Sequence, residues 1–161
     1  MMFTNCVIAP SYRTRSQPPI ATETPVFFTK HHIPESFADT TLADRVPADE
    51  LVELERLSTP VRFVPGDLLT KENTIGREVV FMLDGSATVT RRGRVIAEVG
   101  PGSVIGEMAL LTGDTRKATV TASSDIRAIV LNRREFATLL DQCDVLAREV
   151  LNTAITRKAA A

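Results

Sequence analysis

The residues whose types and spacing could do chemistry lie between positions 100 and 120, in the run GPGSVIGEMALLTGDTRKATV. Gly106 lets the backbone come close to a bound group, because it carries no Cβ and tolerates positive φ. The short apolar helix expected over 107–111 starts with unpaired N–H groups, which favour an anion. Arg116 follows as a strand begins. Its planar fork of donors matches the non-bridging oxygens of a phosphate better than a lysine point charge does. Glu107, an acceptor only when ionised, suits a hydroxyl donor such as a sugar O–H. Residue types alone also allow Glu107 to pair with Arg116, or Arg116 with Asp114, on a loop that binds nothing.

Something must hold these groups in place. Between 61 and 131 the chain reads as short strands separated by Gly, Pro, Asn and Asp at regular intervals, the pattern of an antiparallel sandwich or barrel. Strands are expected at 61–64, 68–70, 79–83, 86–91, 94–99, 117–122 and 126–131. The turns Pro65-Gly66-Asp67, Asn73 to Gly76, Asp84-Gly85 and Arg92-Gly93 put Gly or Asn where positive φ is expected. Ahead of the strands, Leu51, Val52, Leu54 and Leu57 recur at helical intervals after Pro47 and the acids Asp49 and Glu50, which suit a helix start. From Arg133 onward Phe136, Leu139, Leu140, Val145, Leu146, Val150 and Ile155 repeat that pattern, and Arg157 and Lys158 supply cations at its end.

Residues 1–34 carry Pro10, Pro18, Pro19, Pro25 and Pro34 among many Ser and Thr, so they read as a flexible tail, leaving 35–161 as the domain. Arg13 and Arg15 precede the first acid, Glu23, which makes the tail locally basic. Plain disorder is expected there rather than a targeting signal. His31 and His32 have no accompanying Cys, Asp or Glu at ligand spacing, and no metal site is expected.

The 100–120 run resembles the phosphate-binding cassette of the cyclic nucleotide-binding domain family, which includes kinase regulatory subunits, nucleotide-gated channels and the bacterial catabolite activator. Gly106-Glu107-Met108-Ala109-Leu110, then Arg116, then Ala118-Thr119-Val120 follow the family's order and interval. The likeness extends over about Phe37 to Arg157. It implies an antiparallel β-roll, a jelly-roll-like double-stranded β-helix, that is mainly β, with an N-terminal helical segment and C-terminal lid helices. It implies that Glu107 takes the ribose 2′-OH and Arg116 the cyclic phosphate, with the backbone amides of Met108, Ala109 and Lys117 completing the anion cradle. Val89 and Ile96 fall where family members line the base and sugar side, although inward apolar residues alternate along every strand. Lys117 departs from the usual Ala, Ser or Thr at a position that helps separate cAMP from cGMP, and Asn73 replaces a usual glycine. The C-terminal helix has no aromatic after Phe136, so any cap over the purine is expected from Leu146, Val150, Leu151 or the cation Arg157.

By that resemblance the expected function is a cyclic nucleotide sensor, cAMP before cGMP, which shifts its terminal helices on binding. It would signal through an unknown protein partner, and a homodimer through the C-terminal helix is one arrangement allowed. The alternative is a scaffold that keeps the roll without a ligand, Lys117 filling the anion site. The receptor reading requires Glu107 and Arg116 to share one open basin. No cofactor is expected, and no enzyme either, since no Ser-His-Asp, Cys-His or metal-ligand set is found. Nineteen Lys and Arg against 20 Asp and Glu, with a pI near 6.1, argue for neither nucleic acid nor membrane as partner. Cytoplasmic residence is the default. Cys6 and Cys143 have neither metal-ligand spacing nor a disulfide framework.

Overall fold

The computed structural model describes Phe37, Thr40 and residues 42–160; the readings made for the tail, Cys6, His31 and His32 lie outside the described residues. Helix α1 (Ala48–Leu57) is followed by β1 (Thr59–Phe63), β2 (Leu68–Thr70), β3 (Glu78–Asp84), β4 (Ala87–Arg91), β5 (Arg94–Val99) and β6 (Val104–Ile105). Then come α2 (Glu107–Thr112), β7 (Thr119–Ala122), β8 (Ile126–Asn132), α3 (Arg133–Gln142) and α4 (Asp144–Ala159). The strands form two four-stranded sheets, ordered β1-β8-β3-β6 and β2-β7-β4-β5, with every pairing antiparallel. This is the β-roll with flanking helices that the cassette resemblance implied.

Strand β3 explains the layering. Its residues Val79 to Leu83 are all buried, which needs cover on both faces. Val79, Phe81 and Leu83 pack with Leu51 and Leu54 of α1, Phe136 and Leu139 of α3, and Leu146 and Val150 of α4. The alternate residues Val80 and Met82 pack with Ala87, Ile105, Val120, Ala122, Ile126 and Ala128 in a second cluster. Period-2 alternation thus ties the helices to one side of the strand and the facing sheet to the other.

Three local features add to the sequence reading or depart from it. Strand β6 is only two residues long, too short for a periodic signal, yet its pairing of Val80 with Ile105 and Phe81 with Val104 delivers the chain to Gly106. The C-terminal run is two helices, broken at Cys143, whose φ −123° and ψ 92° are extended. The Glu50 carboxylate of α1 accepts hydrogen bonds from Val145 N (3.0 Å) and Leu146 N (2.8 Å), satisfying donors in the first turn of α4. Val52 is 48% exposed, so it does not belong to the buried face of α1 formed by Leu51 and Leu54.

Turn chemistry follows expectation. Asn73 takes φ 63°, the left-handed conformation for which it is the next most tolerant residue after glycine. Arg92 and Gly93 both have positive φ, at 51° and 75°, as a two-residue hairpin between β4 and β5 requires. The Asn132 side chain caps α3 by accepting from Arg134 N and Glu135 N, while Glu135 Oε2 accepts from Asn132 N at 2.7 Å.

Candidate functional site

Short strand β6 ends at Gly106, whose φ of 87° turns the chain into α2. A Cβ at this position would stand 1.9 Å from Arg116 Nη1, so only glycine leaves room for the guanidinium. Arg116 lies just ahead of the bend that leads into β7 and is 8% exposed. Its Nη1 donates to Gly106 O and its Nη2 to Glu78 O, each at 2.6 Å. Its backbone is held too, Arg116 N donating to Thr74 O (2.8 Å) and Asn73 N to Arg116 O (2.9 Å). No carboxylate among the described residues pairs with this guanidinium, so neither Glu107 nor Asp114 neutralises it directly. Burial pulls it below its ordinary range, against the opposing charges of Glu78 and Glu107.

Glu107 opens α2 and is 1% exposed. Its Oε1 accepts a hydrogen bond from Arg157 Nη1 of α4 at 2.7 Å, and the same nitrogen donates to Val104 O at 2.6 Å. Its Oε2 is buried and has no hydrogen-bond partner. A buried carboxylate oxygen left without a donor is costly, and so marks a place where a donor is missing.

The other expected site residues divide into those near this pair and those apart from it. Ala109 is buried in α2, and Met108 is half-buried. Lys117 turns outward, its Nζ 3.4 Å from Asp114 Oδ2, with both side chains more than half exposed. It therefore does not fill the space beside Arg116. Ala118 is half-buried, and its carbonyl accepts from Thr70 Oγ1 at 3.2 Å. Val89 packs partly buried against the inter-sheet cluster. Ile96, at 57% exposure, sits on edge strand β5. There Val89 pairs with Ala97 and Thr90 with Val95, so Ile96 is the extra residue of a β-bulge.

Glu107 and Arg116 are both almost wholly buried, and the cleft that opens beside Arg116 does not reach Glu107. That cleft, of about 280 Å³, has Arg116, Lys71, Arg77, Glu78, Leu68 and Ile75 in its walls. Oε1 of Glu107 is taken by Arg157. Of the expected cap candidates, Leu146 and Val150 are buried in the helix-side core and turn away from a ligand, while Leu151 is 45% exposed. Of the cap candidates, Arg157 is the one that reaches the cassette.

Sequence reasoning gave no site role to Gly76 and Arg133. A Cβ on Gly76 would come 2.5 Å from Ala109 Cβ and 3.3 Å from Arg116 Cζ, so the turn of which it is part closes against the cassette. Arg133 donates to Gly76 O (3.1 Å) and Leu110 O (3.4 Å), joining the start of α3 to the end of α2. The glycine of the turn was a visible signal. Arg133 had none, because its partners are backbone carbonyls distant in the chain.

The family profile described as cyclic nucleotide-binding domain matches residues 60–143, more than half of the chain. The chain belongs to the cyclic nucleotide-binding domain family. A cyclic nucleotide-gated potassium channel of Rhizobium etli is 30% identical over 118 residues, covering 73% of this chain and 33% of the channel. A similar channel of Mesorhizobium japonicum is 34% identical over 112 residues and is covered over 31% of its length, so this chain spans about a third of the channels it matches. Among solved structures, PKAR CBD2 bound to Sp-2Cl-cAMPS superposes with a TM-score of 0.62 at 24% identity, over 74% of this chain and 82% of that one. At such identity the likeness is one of fold. No helix among the described residues of this cyclic nucleotide-binding domain is long and apolar enough to cross a membrane.

Proposed function

We propose that this domain is a cAMP sensor, a binding module rather than a catalyst, in which Arg116 takes the cyclic phosphate and Glu107 the ribose 2′-hydroxyl. One observation carries the reading. A buried guanidinium without a carboxylate partner lies beside the first turn of α2, next to a buried carboxylate with one oxygen unpartnered. These are complementary to an anion and to a hydroxyl donor, the two polar features of a ribose cyclic phosphate. The backbone amides of Met108, Ala109 and Lys117 are the further donors to the phosphate, with Ala118 beside them and Val89 and Ile96 toward the base. The outward turn of Lys117 leaves the usual small-residue space open and supports cAMP as ligand, cGMP being less favoured.

The signal is a population shift: the ligand favours whichever arrangement of α3 and α4 it contacts better, by no more than its differential affinity. A protein partner then reads the helices. Calorimetry on the parent and on Arg116→Ala tests the assignment. Loss of one charge-assisted contact weakens cAMP binding by at least about tenfold, and equal affinity rejects it.

A scaffold without a ligand is favoured by a single observation, that one oxygen of Glu107 is already satisfied within the chain. Thermal melts separate the two. A ligand at about a hundred times its dissociation constant adds about 2.7 kcal/mol of stability, whereas no shift with millimolar cAMP or cGMP supports the scaffold.

A further inference from the structure

We propose that the β2–β3 turn and the tip of the β4–β5 hairpin form one face that docks on an anionic lipid bilayer. The face lies outside the cassette, and the proposal stands whether or not the domain binds cAMP. Five cations lie on or beside the two turns: Lys71 and Arg77 at the first, Arg91, Arg92 and Arg94 at the second. Lys71, Arg77, Arg92 and Arg94 are exposed and Arg91 is half-buried. Among the described residues no side-chain hydrogen bond or ion pair engages any of the five. The bond from Arg92 N to Glu72 Oε2 holds the two turns side by side. Glu72 is the one acid within residues 71–77, and 91–95 have none. The hairpin is destabilised by its own charges, because Arg91 and Arg94 are cross-strand partners and like charges directly opposite weaken a ladder. An external anion relieves that repulsion.

Apolar side chains accompany the cations. Ile75 is 69% and Leu68 52% exposed, and both line the cleft with Lys71 and Arg77. A bridge to Thr115 fixes the backbone of Ile75, so this exposure is built into the fold. Val95, 66% exposed, pairs with Thr90, on the face of β4 opposite to Val89 and the inter-sheet core. The mixture selects the partner. Lipid phosphates accept from the cations while aliphatic side chains enter the acyl boundary. A nucleic acid would leave Leu68, Ile75 and Val95 in water, and neither turn has an aromatic side chain to stack on bases. A protein strand added along β5 would meet the bulge at Ile96, which breaks the ladder. The near-neutral composition conceals this face because acids gather elsewhere, as Asp49, Glu50, Glu53 and Glu55 do on α1.

The test is sedimentation of the full chain with vesicles of phosphatidylcholine alone and of phosphatidylcholine mixed equally with phosphatidylglycerol. The parent is expected to bind the mixed vesicles and not the neutral ones. Lys71→Gln, Arg77→Gln, Arg92→Gln and Arg94→Gln each weaken partition by about fivefold, whereas Arg134→Gln, an exposed cation on α3, leaves it unchanged. The chain has no tryptophan, so Ile75→Trp and Val95→Trp each introduce a single fluorophore. Emission from both shifts to the blue on mixed vesicles and is quenched by brominated lipid. Val52→Trp, on α1, keeps the emission of an indole in water. Should Ile75→Trp melt without cooperativity, Val95→Trp carries the comparison. Absence of binding to mixed vesicles, an equal loss with Arg134→Gln, or emission from both turn positions that stays unshifted overturns the proposal. Binding to duplex DNA or to polyaspartate but not to vesicles overturns it too, and assigns the face to a nucleic acid or to an acidic protein.

Discussion

At the scale of single residues, the cassette depends on what is missing as much as on what is present. Gly106 has no side chain because Arg116 occupies the space where a Cβ would be, and its φ of 87° disfavours any other residue. Gly106→Ala is therefore expected to lower stability by about 1–2 kcal/mol or more and to weaken cAMP binding by about tenfold or more by moving the guanidinium. Urea titration and calorimetry on the same sample read both, and a variant with parental values in each would show that Arg116 does not depend on that gap. The hairpin residue Arg92 presents the opposite case, a residue with a Cβ at φ 51° with its N–H bonded to Glu72 Oε2 at 2.9 Å. Arg92→Gly keeps that backbone bond and relieves the strain, so a gain of about 0.5–1 kcal/mol is expected in urea unfolding.

At the scale of elements, the terminal helices are attached to one another and to the cassette by polar contacts that long stretches of chain separate. Glu50 of α1 satisfies the first amides of α4, Arg133 of α3 reaches the end of α2, and Arg157 of α4 reaches its start. Glu50→Ala removes a cap from α4 and is expected to cost about 1 kcal/mol. The loss concentrates in the first turn of that helix, so amide exchange at Val145 and Leu146 accelerates first. Unchanged exchange there would mean that packing of Leu146 and Val150, both essentially fully buried, fixes the helix without the cap.

At the scale of the whole molecule, the break between α3 and α4 places Cys143 in the helix-side core at 1% exposure. Burial, reinforced by Glu50, Glu53, Asp49 and Asp144, raises its thiol from the ordinary 9.0 to about 11. The folded chain thus keeps a proton that the unfolded chain releases above pH 9. Stability from this group is fully present below pH 9 and declines as pH rises toward about 11. Chemical denaturation across that window is expected to show a falling limb that Cys143→Ala reduces, and an identical limb in both proteins would reject the assignment. At pH 8 the native chain is expected to leave Cys143 unalkylated, as peptide mapping after brief iodoacetamide treatment will read.

The sequence by itself determined most of the strands, the turns and the cassette, because each is written in local terms: the apolar run of β3, Asn73 and Gly93 where φ is positive, and Gly106, Glu107 and Arg116 at fixed spacing. It also named Arg157 among the candidates for a cap. What it had no means to decide was which oxygen meets which nitrogen. That Arg116 rests on the carbonyls of Gly106 and Glu78, that Lys117 turns to Asp114, and that Arg157 holds one oxygen of Glu107 and leaves the other bare follow only from how the sheets and helices pack. The same applies to Leu146 and Val150, whose helical spacing identified an apolar face without saying whether a ligand or the core would cover it. Spacing along a chain encodes short-range geometry, whereas a contact between residues 50 or more positions apart is set by the cost of leaving buried charges and cavities unfilled.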